Sequence, residues 1–195
     1  MRLPKLASEQ YSPAQRQLAE RIAGKRGQVR GPFLCWLHSP ELGERVEALA
    51  SHMRFGCSLP EKLVEFSILI AARFWDAQDS WNAHVDKAAA AGLPTAVIQA
   101  LASGRAPSFK AEDEAVFYAF CKQLLEEHFV SDATFAAAHE LFGTQGLVDL
   151  VGCLGTFSMM AFCLNAFQVD LDATRTPPFA DVRGYARISP RSELG

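Results

Sequence analysis

EFSILIAARFWDAQDSWNAH, residues 65–84, decides how the rest of the chain is read. Glu65 is a lone carboxylate in a helical segment whose apolar residues, Leu63 through Ile70, surround the helix almost completely, the pattern of a buried helix. His84 follows just after a break, in the run WNAH at 81–84. These two groups can trade protons, and Phe74, Trp75 and Trp81 frame them like the wall of a small apolar pocket.

Outward from this stretch, helix signals recur and strand signals are nearly absent. Ser12-Pro13 opens a first helix to about Ala23, with serine as N-cap and proline in the first turn; it ends in the basic, glycine-bearing run GKRGQVRG. Gly31-Pro32 marks a turn before the apolar stretch PFLCWLHS. Ser39-Pro40 starts a second helix, stopped by Gly56, and Ser58, Pro60 and Glu61 start the third. Asp76 and Asp79 are candidate caps for a fourth helix over 80–91, closed by Gly92. Further helices are expected over 94–102, 112–127, 131–142 and 145–169. The last is uncharged from Leu150 to Phe167, long enough to raise the question of a membrane span. Gly152, Gly155, Thr156, Ser158 and Asn165 dilute it, and no positive flank follows; a helix buried on all sides, partly against another subunit, is the expectation. Residues 174–195 form a Pro/Gly-rich tail, expected to wrap the surface or stay partly disordered.

At 195 residues the chain suits one domain, residues 1–173. It is 49% hydrophobic with a net charge of −3, and this balance argues against a nucleic-acid or anionic-membrane surface. The first residues show no apolar signal core, so a cytoplasmic protein is expected. The five cysteines (35, 57, 121, 153 and 163) are scattered and never spaced CxxC. That spacing speaks against a disulfide framework, a zinc site or a local dithiol, and for free buried thiols, although two distant ones can still meet in space. No HExxH or mixed His/carboxylate cluster suggests a metal, and the turn at 143–146 lacks a phosphate-loop pattern.

The segment LVEFSILIAARFWDAQDSWNAHVDKAAAAGL, with its Ala72-Arg73 pair and its Trp81–His84 run, resembles the carboxymuconolactone decarboxylase family. Its AhpD-like alkylhydroperoxidase branch uses Glu, then CxxC, then His at this spacing. GPFLCWLHSPELG and the later VSDATFAAAHELFGTQGLVDLVGCLGTFSMMAFCLNAFQV resemble the flanking parts of longer single-domain members, so the likeness spans about residues 30–169. The resemblance implies an all-α bundle of about seven to eight helices built on an antiparallel helical hairpin, assembled as a trimer or hexamer. It places Glu65 and His84 on the family's Glu and His, and Ala77 and Ser80 on its two cysteines, which removes the thiol chemistry.

Desolvation is expected to push the Glu65 carboxyl up, suiting a proton carrier near neutral pH; the bland alternative is a structural glutamate paired with Arg73. His84 is the natural acid/base partner, against a merely structural helix histidine. Ser80 is a candidate to bind a substrate oxygen, without a relay that would make it a nucleophile. Arg73 either holds a substrate carboxylate or forms a structural ion pair. Trp75, Trp81 and His38 are second-tier pocket candidates, while His52, His128 and His139 read as helix-surface residues. Two functions follow as expectations. One is proton transfer or decarboxylation on a small carboxylated or lactone substrate, without cofactor or metal, as in aromatic-compound catabolism. The other is a non-catalytic oligomeric ligand-binding or scaffold protein that kept the fold.

Overall fold

The helix over 61–74 forms where the sequence is most apolar, and everything else packs round it. In a computed structural model, described for residues 1–171 and 174–180, this element (α4, Glu61–Phe74) buries every side chain from Leu63 to Ala72. The chain then turns through Trp75-Asp76-Ala77, where Asp76 takes a positive φ of 51°, a conformation aspartate tolerates better than most residues. It returns as α5, Gln78–Ala90, and the two helices form a closely packed hairpin.

Six more α-helices complete the described residues: α1 Pro13–Arg26, α2 Phe33–Trp36, α3 Pro40–Phe55, α6 Thr95–Ala102, α7 Glu112–Glu126 and α8 Asp132–Ala166; no strand is present among them. The all-α expectation holds, and the local reasons for the helix starts are visible. Ser12 and Gln15 cap α1 reciprocally, each side chain accepting from the other's backbone N–H, and Ser131 accepts from Thr134 N at the start of α8. Gly43 is small for a reason: a Cβ there would lie 2.5 Å from Leu18 Cδ2 and 2.9 Å from the Trp36 carbonyl, so α3 could not approach α1 and α2.

Several boundaries differ from expectation. The stretches expected as separate helices over 131–142 and 145–169 run together as α8, with a break at Gly143 (φ 65°, ψ 179°). The helix ends at Ala166, three residues early. The one-turn α2 was read as an apolar stretch, and α1 runs on to Arg26 before Gly27 closes it at φ 80°. Neither aspartate caps α5: its N-cap is Ala77, Asp76 turns back to Arg73 at 2.7 Å, and Asp79 lies inside the first turn.

The core is one large cluster drawn from α1 to α8, centred on α4. Phe66 stacks with Phe117 and Tyr118, and truncating such a fully buried ring to alanine costs about 3–5 kcal/mol. A smaller cluster joins α2 to the end of α8. The α8 helix is long and apolar enough to cross a membrane, but 67% of its most apolar window is buried inside the fold. The described part of the tail, 174–180, lies over α5: Asn82 donates to the Thr176 carbonyl, Arg175 pairs with Asp86, and Phe179 packs on Trp81. The rest of the tail lies outside the described residues.

Candidate active site

The hairpin brings Glu65 of α4 and His84 of α5 into direct contact. Glu65 Oε2 lies 2.7 Å from His84 Nδ1, and its other oxygen, Oε1, accepts from Arg54 Nη2 at 3.2 Å. Glu65 is 1% exposed. The edge of the Phe157 ring from α8 closes the site against the imidazole, with centroids 5.9 Å apart. Arg54 comes from the last turn of α3, so three helices fix the group.

Burial alone would raise the Glu65 carboxyl, as the sequence suggests. The structure reverses the net direction: the hydrogen bond and charge of His84, with Arg54 and Lys87, hold it below the usual carboxylate value. Burial also pushes the His84 imidazole below its ordinary value, against the raising pull of Glu65 and with the help of Arg54 and Lys87. The resting pair at neutral pH is therefore a carboxylate beside a neutral imidazole. An ionised carboxylate can only accept, so Nδ1 carries the hydrogen and donates to Oε2. Nε2 is left with its lone pair and no protein partner among the described residues.

His84 and Ser80, one turn apart on α5, line a cleft of about 1050 Å³. Its lining carries Lys5, Lys25, Arg26, Arg30, Arg54, Lys87 and Arg175 against only Asp79, Asp86 and Asp170. Arg175 is paired with Asp86, Lys25 with Glu47, Arg54 with Glu65, and Asp170 with the Met1 amine, which leaves Lys5, Arg26, Arg30 and Lys87 as the cations that set the sign of the opening. A chain of net charge −3 thus gathers positive charge at one opening, a field that concentrates anions. The cations also feel one another: burial first, then Arg54, Arg30 and Arg26, lower Lys87, while burial and then Arg54 lower Arg26. Arg26 Nε and Arg54 Nε are buried without a hydrogen-bond partner.

Of the residues singled out from sequence, His84 and Ser80 line this cleft, Glu65 is buried against His84 without lining it, and the others lie off it. Arg73 pairs with Asp76 rather than Glu65, and its guanidinium sits 4.7 Å over the Phe179 ring. Trp81 is buried on the core face of α5, about 100° round the helix from Ser80. Trp75 packs edge-on between Phe74 and Phe162. His38 Nε2 donates to the Pro4 carbonyl at 3.1 Å. Sequence reasoning missed Arg54, Arg26, Arg30 and Lys87. Lys87 was findable, one turn beyond His84 on the same face, and GKRGQVRG was noticed only as a helix stop. Among the described residues no group of three or more His, Cys, Asp or Glu forms a metal site.

The architecture is that of solved AhpD-like proteins. An uncharacterized peroxidase-related protein from Silicibacter sp. TM1040 superposes with a TM-score of 0.72 at 15% identity, over 89% of this chain and 92% of that one. The alkylhydroperoxidase AhpD core of an uncharacterized peroxidase-related protein from Ralstonia eutropha JMP134 superposes with a TM-score of 0.71 at 17% identity, over 89% and 93%. At such identities the likeness is one of fold, and function has to be argued from the site. No family model and no curated protein matches the chain.

Proposed function

We propose that the protein is an acid/base enzyme for a small organic anion, with proton transfer and decarboxylation of a carboxylated or lactone-type substrate as its reaction. The observation that supports this reading is the buried Glu65–His84 contact of 2.7 Å beside a cleft with excess positive charge. His84 Nε2 takes a proton from a substrate carbon, and the Glu65 carboxylate, anchored by Arg54, stabilises the imidazolium that forms. Arg26, Arg30 and Lys87 hold the substrate carboxylate, the role the sequence had offered to Arg73. In this reading the hydroxyl of Ser80, which lines the cleft, binds a carbonyl oxygen.

In the decarboxylation, the electron pair of the C–CO2 bond passes into a conjugated carbonyl as CO2 leaves. The imidazolium then returns its proton to carbon and solvent supplies the further proton that the enolate needs, so one solvent proton is consumed for each CO2 released. Positioned acid/base groups of this kind contribute about 100- to 10,000-fold in rate. These steps call on no cofactor or metal.

The peroxidase-related description of the two similar structures does not carry thiol chemistry to this hairpin, because Ala77 and Ser80 stand where the resembled family has its cysteines. The test is a panel of carboxylated lactones, β-keto acids and alkyl hydroperoxides, followed by CO2 release, proton uptake and peroxide loss. Turnover of a carboxylated compound that collapses in Glu65→Gln and His84→Ala supports the proposal. Binding without turnover across the panel favours the non-catalytic alternative, and hydroperoxide reduction abolished by cysteine replacement sinks the acid/base reading.

A further inference from the structure

The five thiols fall into two kinds. Cys121 and Cys153 are sealed in the main core, where burial raises both, Cys153 to about 12. Cys57 is partly buried, and burial raises it too. Cys35 and Cys163 are different, because they meet. Cys35 stands on α2 and Cys163 in the last turn of α8, and the fold packs them in the same satellite cluster with Ala77, Ala161, Leu164 and Val169. The Pro32 carbonyl links them, accepting both the Cys35 backbone N–H, at 3.0 Å, and the Cys163 thiol, at 3.6 Å. Cys35 Sγ lies 3.9 Å from Met1 Sδ.

We propose that Cys35 and Cys163 form a reversible dithiol–disulfide pair, oxidised by low-molecular-weight disulfides. Cys163 Sγ keeps its hydrogen on the Pro32 carbonyl, while Cys35 Sγ faces the thioether of Met1, a residue of the cleft lining, so Cys35 is the attacking thiolate and Cys163 the resolving thiol. Cys35 Sγ attacks one sulfur of RSSR, forming a mixed disulfide and expelling RS⁻. Cys163 then gives up its proton and attacks Cys35 Sγ, expelling the second RS⁻. Two protein thiols and one RSSR become one protein disulfide and two RSH, with two electrons passed from protein to reagent.

Access runs through the cleft. Met1 and Leu3 pack against the cluster that holds the pair, and both also line the opening. They are held by the Met1 amine on Asp170 at 2.8 Å and by Arg2 N on the Phe167 carbonyl at 2.7 Å. Phe33 and Leu34, beside Cys35, line one wall of the cleft, and Leu164, beside Cys163, lines another. The disulfide therefore ties two walls of the cleft together. No step of this pair uses Glu65 or His84, so its failure leaves the acid/base reading standing.

The experiment equilibrates the folded full chain with oxidised glutathione, quenches in acid, alkylates under denaturing conditions and maps the peptides, with circular dichroism to verify the fold. The expected result is a fall from five free thiols to three, a single linked peptide pair carrying Cys35 and Cys163, and full recovery with dithiothreitol. Cys163→Ser, or Cys163→Ala if serine disturbs packing, should trap one glutathione on Cys35. Cys35→Ser should trap none. Five persistent thiols in the folded protein, linkage of any other pair, or no adduct on the Cys163 variants would overturn the proposal.

Discussion

Replacing Glu65 by glutamine keeps the side-chain shape and removes the charge, so it isolates what the carboxylate does. In the native site Glu65 accepts from both neighbours, His84 Nδ1 at 2.7 Å and Arg54 Nη2 at 3.2 Å. A glutamine has one accepting end and one donating end. Arg54 only donates, so it claims the amide oxygen and turns the NH2 towards His84. Nδ1 must then accept, and the ring hydrogen moves to Nε2, the nitrogen that has to act as base. A charge-assisted hydrogen bond contributes about 1.5–3 kcal/mol, which corresponds to about 10- to 150-fold in tautomer ratio. The loss in kcat/KM on a carboxylated substrate is at least as large, because the imidazolium also loses its counter-charge. Leaving the Arg54 guanidinium, only 15% exposed, against a neutral amide costs about 1–3 kcal/mol, or about 2–12 °C in Tm for a chain of this size. Long-range ¹H–¹⁵N correlation spectra of the His84 ring report the tautomer without any need for a substrate. The wild type should show Nδ1–H and a bare Nε2, and Glu65→Gln should show the reverse. An Nε2–H tautomer in the wild type, or a variant with unchanged tautomer and turnover within about twofold, would refute the reasoning.

Both members of the pair titrate below their ordinary values, and both signs run the same way. The stability contributed by Glu65 is present above pH 4.5 and is lost as pH falls through its lowered folded value. For His84 the folded state disfavours the proton, so stability drops once pH falls below 6.5 and the unfolded chain binds it more readily. Thermal melts should show Tm declining from neutral pH into acid, and kcat/KM should be flat above pH 6.5 and fall below it; a titration above 6.5 contradicts the site. Lys87→Met should raise KM about tenfold for an anionic substrate and move the acid limb to higher pH, since Lys87 helps hold His84 down. Arg73→Ala, off the cleft, should leave kinetics within about twofold and cost little stability, its ion pair being partly exposed; a large kinetic loss would return Arg73 to the site. Light scattering should report about three or six subunits, and Val148→Glu should lower that number. Val148, Val151 and Phe162 give α8 an exposed apolar face, at 66%, 47% and 49% exposure, and a clean monomer would leave that face unexplained.

The all-helical fold was legible because local signals agreed with global packing. The apolar run at 63–70 is buried, Gly56 and Gly92 stop their helices, and Gly143 breaks the long one at the expected place. The Glu65–His84 contact was legible too, since a hairpin with a short turn brings α4 and α5 side by side. What stayed hidden depends on long-range geometry. Arg54 reaches Glu65 from α3, and nothing local to the motif marks it. Helix rotation decides which face a side chain joins: Trp81, expected at the pocket wall, goes to the core beside Phe179, while Phe157 of α8 turns inward against His84. Ala161 is buried as well. Arg73 failed as an anion clamp because Asp76 lies within one turn, a closer partner than any ligand. Cys35 and Cys163, far apart in sequence, pack in one satellite cluster, and no spacing rule predicts it.

The cations that sequence reasoning missed explain why burial alone did not set the pair's protonation. Desolvation by itself favours a neutral carboxyl and a neutral imidazole. Arg54 and Lys87 bias Glu65 towards the carboxylate and keep the proton off His84, which leaves the empty site holding a base. An anion seated among Arg26, Arg30 and Lys87 would offset the positive field acting on His84 and raise its proton affinity. Anion binding and proton uptake are then linked, each favouring the other by the same factor. For a decarboxylase this coupling has a direction. Substrate arrives as a carboxylate, raises the proton affinity of the imidazole beside it, and so strengthens the base that takes the proton from carbon. When CO2 leaves, that carboxylate charge goes with it, the field of the cations returns, and the imidazole is driven back towards its neutral form as it delivers the proton. The same arrangement discriminates against neutral molecules of similar shape, which enter the cleft without offsetting the cations and leave His84 the weaker base.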